Sequence, residues 1–110
     1  MEERCISAEN LQETGFSYTL SLINGKYKMP ILYTLMEFGI VRFNALKKYI
    51  GSISYKTLSA TLKELERDQL VRRQEYPQIP PKVEYSLTER GRSLIPILDT
   101  MCAWGDDHRL

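Results

Sequence analysis

The sequence predicts a mainly α domain with one small β-hairpin, and three observations predict it. Apolar residues recur at helical spacing through the first two thirds of the chain and again near its end. The period shortens to two in "LVRRQEY" and "KVEYSL". Between those two runs stands "PQIPP", which cannot continue a hydrogen-bonded ladder and must loop. A length of 110 residues makes this one domain, residues 1–110, with room for a real core.

The elements follow in order. Residues 1–15 read as a polar tail. In "GFSYTLSLINGKYK", Phe16, Leu20, Ile23 and Tyr27 fall on one helical face, which Asn24–Gly25 should interrupt. "KMPILYTLMEFG" follows, with Pro30 tolerable only near a first turn. Its Ile31, Leu32, Leu35, Met36 and Phe38 cover most of the circumference, so the helix should be buried on several sides before Gly39 stops it. Phe43, Leu46 and Ile50 make the next stripe, with Lys47 and Lys48 facing away. Gly51 and Ser52 break it, and Ser54 is placed to cap a further helix whose Leu58, Leu62 and Leu65 point inward.

A hairpin over residues 70–87 comes next, with Val83, Tyr85 and Leu87 on one strand face. Thr88 should then cap a last helix over residues 89–105, kinked by Pro96.

Charge is unevenly spread. Residues 25–92 hold 13 Lys and Arg against 7 Asp and Glu, while the two ends together hold 2 against 7. A basic centre between acidic ends suggests nucleic acid. No apolar run approaches the ~18 residues of a membrane span, and "MEERCISAEN" is too polar and acidic for a secretory signal peptide. Cys5 and Cys102 make no CxxC or metal spacing, which fits a reduced, cytoplasmic compartment. His108 has no second histidine to form a metal site. Phosphate-loop, dinucleotide, nucleophile-elbow and zinc-protease motifs are all absent, so neither an enzyme nor a cofactor is expected.

The helix at residues 54–67 carries the functional signal. Measured from Leu58, Lys56 and Lys63 fall within roughly 40° of the opposite pole, with Thr57 and Ser59 on the shoulders. Two helices joined by the tight turn at residues 51–54 read as a helix-turn-helix, residues 42–67. With the hairpin that follows, the order is that of a winged helix. In such a motif the first residues of the second helix reach base edges in the major groove, where Lys, Ser and Thr are suitable donors and acceptors. Ser54, Tyr55, Lys56, Thr57, Ser59 and Lys63 are therefore the candidate DNA-reading residues. On the wing, Arg72 and Lys82 are candidates for phosphate, whereas Arg73 can instead pair with Glu84 or Glu75.

The motifs "NGKYK", "RFNAL", "ISYKTLSATLKELERDQLVRR", "PPKVEYSLTERGRSL" and "CAWG" resemble those of the HxlR-type family of winged-helix transcription regulators, relatives of the MarR superfamily. The resemblance runs from about residue 18 to residue 104. It implies a cytoplasmic DNA-binding regulator acting as a homodimer, with double-stranded DNA as its partner. It also implies that Tyr27, where relatives carry Trp, packs beneath the helix-turn-helix. Several relatives sense redox state through a cysteine whose position here is Thr14. A thiol switch is accordingly not expected, with Cys5 the better candidate and Cys102 a small hydrophobe on the apolar side of the last helix.

The last helix also predicts the oligomer. Its apolar arc spans about 180°, against the ~100° that covers one core. Leu98, Met101 and Trp104, paired with a partner's Phe16, Leu20 and Ile23, would close a two-fold interface through the N- and C-terminal helices. The alternative reading is a winged helix used as a protein-interaction module without sequence-specific DNA binding. It would call for aromatic or aliphatic residues where Lys56, Ser59 and Lys63 stand. Any effector ligand is left open.

Overall fold

The computed structural model describes residues 9–110. A 3-10 turn, Leu11–Glu13, leads into α1 (Gly15–Ile23), inside the stretch expected to be tail. Thr14 caps α1: its Oγ1 accepts the Ser17 N–H at 3.0 Å and donates to the Leu11 carbonyl at 2.7 Å. The helix ends at Asn24, and Gly25 takes φ 130°, which a side chain would disfavour. Tyr27 is therefore not a fourth member of the α1 stripe. It is the N-cap of α2 (Lys28–Phe38). Pro30 is the third residue of α2, where a missing N–H costs nothing.

A strand that the sequence reading lacks follows α2. Val41–Arg42 form β1, which pairs antiparallel with a later strand. Two residues are too few to display a period. Next come α3 (Phe43–Ile50) and α4 (Tyr55–Arg67), separated by a turn in which Gly51 takes φ 88°. The hairpin is β2 (Val71–Tyr76) and β3 (Lys82–Leu87), and the sheet order is β1-β3-β2. Directly opposed pairs run from Val71 and Leu87 to Tyr76 and Lys82.

The last helical segment is two helices rather than one kinked helix. Thr88 caps only α5 (Glu89–Arg92), accepting the Gly91 N–H at 2.9 Å. The chain then starts again as α6 (Ile95–His108), with Pro96 in its first turn. Pro96 thus begins a helix instead of bending one, because a first-turn residue has no intrahelical N–H bond to lose.

The core is built from α2, α3, α4 and the inner sheet face: Ile31, Leu32, Leu35, Leu46, Leu58, Leu62, Leu65, Val71, Tyr85 and Leu87. Phe38, expected inside, is exposed at the end of α2 and packs edge-on against Tyr49, with centroids 5.1 Å apart. The two ends contribute little. No residue of α1 is buried, and α6 buries only Leu98, at 5% exposure. No helix among the described residues is long and apolar enough to cross a membrane.

Candidate nucleic-acid interface

The candidate site begins at the α3–α4 turn. Ser54 has extended backbone, and its Oγ accepts the Thr57 N–H at 3.1 Å while donating to Thr57 Oγ1 at 3.0 Å. Two of the hydroxyls singled out in the sequence are therefore occupied in holding the first turn of α4. Their free lone pairs still face solvent, since both residues are exposed. Tyr55 projects from the same turn, stacked on Phe43 with centroids 6.1 Å apart, and the Lys47 ammonium sits 4.6 Å over its ring. A cation held over the ring face stiffens this corner and brings a positive charge from α3 beside α4.

Further along, Lys56 and Lys63 are exposed and Ser59 is half-buried. Neither lysine forms a salt bridge among the described residues, so both ammonium groups are available to an anion. Leu58, Leu62 and Leu65, on the other side of α4, are fully buried. That burial fixes which face of the helix looks outward.

The hairpin stands beside α4. A groove of about 580 Å³ between them is lined by Phe43, Ser59, Lys63, Glu66, Arg73 and Tyr85. Arg73 is thus the basic wing residue on the α4 side. It pairs with Glu75 at 3.2 Å, as the alternative sequence reading allowed. Tyr85, directly across the ladder, and then Glu75 raise its pKa further above the ordinary guanidinium value. Strand alternation puts Arg73 on the face of Tyr85, but that this face meets α4 is set by how the sheet packs.

Arg72 and Lys82 lie on the other face of the hairpin. Arg72 donates to the Gln74 side chain at 2.7 Å and lines a separate cavity with Ser86 and Arg92. Lys82 packs its ammonium 4.5 Å over the Tyr76 ring and 3.5 Å from Glu84. The structure therefore does not bring these two together with α4, and an anion at Lys82 would have to compete with Glu84.

At the helical ends, Phe16, Leu20, Met101 and Trp104 are all exposed. Ile23 packs partly against the domain's own core, and Leu98 lies inside it, so both have little surface left for a partner. Cys102, expected as a small buried hydrophobe, is exposed and beside Tyr33. The Glu37 carboxylate, with Cys102 contributing less, pushes the Tyr33 phenol up to about 12. Thr14 is a helix cap, and Cys5 lies outside the described residues.

A helix-turn-helix followed by a hairpin, with a lysine- and hydroxyl-dressed second helix, defines a winged-helix protein of the transcription-regulator class. The chain belongs to the HxlR-like helix-turn-helix family, whose model matches residues 22–109. It is 61% identical over 97 residues to an HTH-type transcriptional regulator of Halalkalibacterium halodurans, covering 88% of this chain and 86% of that one. The HTH-type regulator YdzF of Bacillus subtilis is 52% identical over 94 residues, 86% of each chain. Among solved structures, the redox regulator HypR in its reduced form superposes with a TM-score of 0.83 at 44% identity, covering 87% of this chain and 94% of that one.

Proposed function

We propose that the chain is a sequence-specific transcriptional regulator that binds double-stranded DNA as a homodimer. On this reading α4 enters the major groove, and the β2–β3 wing touches the backbone. One observation carries it: the outer face of α4 offers Lys56 and Lys63 exposed and unpaired among the described residues, beside the capped hydroxyls of Ser54 and Thr57. The names of two relatives, both HTH-type transcriptional regulators, support the DNA-binding part of this reading.

The homodimer is supported by what the ends leave wet. Phe16 is 60% exposed, Met101 53% and Trp104 63%, a large apolar area for a free-standing domain. The radius of gyration is 16.1 Å, where a compact chain of this length would have about 13 Å. Helices α1 and α6 therefore offer an uncovered surface that a two-fold partner would bury, presenting two copies of α4 about 34–36 Å apart.

Retention of duplexes selected from genomic fragments tests the DNA reading. Lys56→Ala should lose about 1–3 kcal/mol of specific binding and flatten sequence preference. Lys82→Ala should weaken all sequences alike and lower the salt slope by about one. Unchanged retention by both variants would refute the assignment of α4 and the wing. Sedimentation at micromolar concentration tests the dimer. A species of 12.8 kDa would refute it, and a Trp104→Asp variant that stays dimeric would show the interface to lie elsewhere.

A further inference from the structure

Lys28, the first residue of α2, is only 8% exposed, yet it carries an ammonium group. Its Nζ lies 3.1 Å from Glu64 Oε1 on α4. A lysine this buried is rare unless paired, and its half-exposed partner leaves the desolvation cost mainly on the ammonium group. An apolar residue would fill the same place without that cost, so stability alone does not account for it. The neighbouring Tyr27 donates its hydroxyl to the Ser52 carbonyl, in the turn between α3 and α4, at 3.4 Å. At the far end of α4, Arg90 donates to the Tyr18 hydroxyl of α1 at 2.8 Å and to the Asp68 carbonyl at 3.1 Å. Polar links thus hold the α1–α2 segment against the entry, the body and the exit of the recognition helix.

We propose that Tyr27 and Lys28 are positioning residues that, together with the Arg90–Tyr18 link to α1, fix the orientation of α4 relative to the α1–α2 segment, and thereby set the half-site spacing the protein accepts. Apolar contacts between helices tolerate small slides and rotations. An ion pair and a hydrogen bond to a turn carbonyl both weaken as their partners slide or rotate apart. In a two-fold dimer joined through α1 and α6, any rotation of α4 against α1 is repeated in the partner. The two recognition helices then move relative to one another, and their separation on DNA changes. The inference rests on the dimeric DNA reading above.

The test uses duplexes selected by the unaltered protein from a random-sequence library, re-made with one base pair added or removed between half-sites. The unaltered protein should discriminate the selected spacing from both altered ones. In Lys28→Met/Glu64→Leu both charges are removed together, so no ammonium group is stranded. That variant should melt no lower than the parent and bind an isolated half-site within about twofold of it, yet lose about tenfold in spacing discrimination. Lys28→Arg, which keeps the charge, should retain most of the discrimination. Tyr27→Phe, which removes one hydroxyl only, should lose about threefold and serves if the double variant does not fold.

Discrimination kept within about twofold by the double variant, or by Tyr27→Phe where that stands in, would overturn the proposal. So would a loss of half-site affinity as large as the loss of discrimination. Absence of any spacing preference in the unaltered protein would instead overturn the dimeric reading and this inference with it.

Discussion

Replacing Gly91 with alanine should destabilise the domain by about 3–4 kcal/mol. Gly91 is buried in α5, pressed against the turn between α4 and β2. An added Cβ would overlap the Leu70 carbonyl oxygen, standing 3.1 Å from the carbonyl carbon and 3.3 Å from Leu87 Cδ2. Real Cβ atoms stay beyond 3.0 Å, and the obstacle is backbone, so one side of the seam must retreat. A retreat of about 1 Å stretches the bonds that cross it out of range. These are Thr88 N–H to the Leu70 carbonyl at 3.1 Å, Thr88 Oγ1 to the Gln69 carbonyl at 2.6 Å, and Arg90 Nε to the Asp68 carbonyl at 3.1 Å. Loss of two such bonds at about 1 kcal/mol each, plus an overpacking cost of about 1–2 kcal/mol, gives the stated range. Against a urea slope of about 2 kcal/mol per M, the midpoint should fall by about 1.5–2 M. Far-UV circular dichroism at one fixed protein concentration measures it, since a dimer's midpoint moves with concentration. Gly105→Ala is the internal control. A Cβ there meets nothing within 4 Å, inside α6, so alanine should be neutral or stabilising by about 0.5–1 kcal/mol. A Gly91→Ala midpoint within about 0.5 M of the parent would refute the steric argument.

Other outcomes follow from single contacts. Ser54→Ala removes the acceptor for the Thr57 N–H and should cost about 1 kcal/mol by urea titration. The Tyr33 phenol should titrate at about 12, and Glu37→Gln should bring it back toward 10, followed by tyrosinate absorbance. Because this folded-state value lies above the unfolded one, the neutral phenol's contribution is complete below pH 10 and fades as pH rises through about 12. A parent Tyr33 that ionises near 10 would contradict the hydrogen bond to Glu37, drawn at 3.2 Å.

Much of the molecule was written locally. The Leu58–Leu62–Leu65 stripe, the Ser54 cap and the break at Gly51 depend on neighbours within a turn or two, so periodicity and cap chemistry placed α3 and α4 directly. The alternating runs gave the hairpin, and Val83, Tyr85 and Leu87 share a face as the period of two requires. The outer face of α4, with Lys56 and Lys63, followed from the same arithmetic. What tertiary structure decided depends on partners distant in sequence. β1 exists only because Val41 and Arg42 find Tyr85 and Glu84 more than forty residues away. Phe38 carries a core residue's side chain, but α2 ends where it meets Tyr49 at the surface and not the core. Arg72 and Arg73 are adjacent and chemically alike, yet the pleat sends one toward α4 and the other to the opposite side of the sheet. Nothing in the residues around Lys28 sets it apart from the exposed lysines. Its carboxylate partner, Glu64, comes from α4, far along the chain, since a charge can leave water only where the fold brings an opposite charge to meet it.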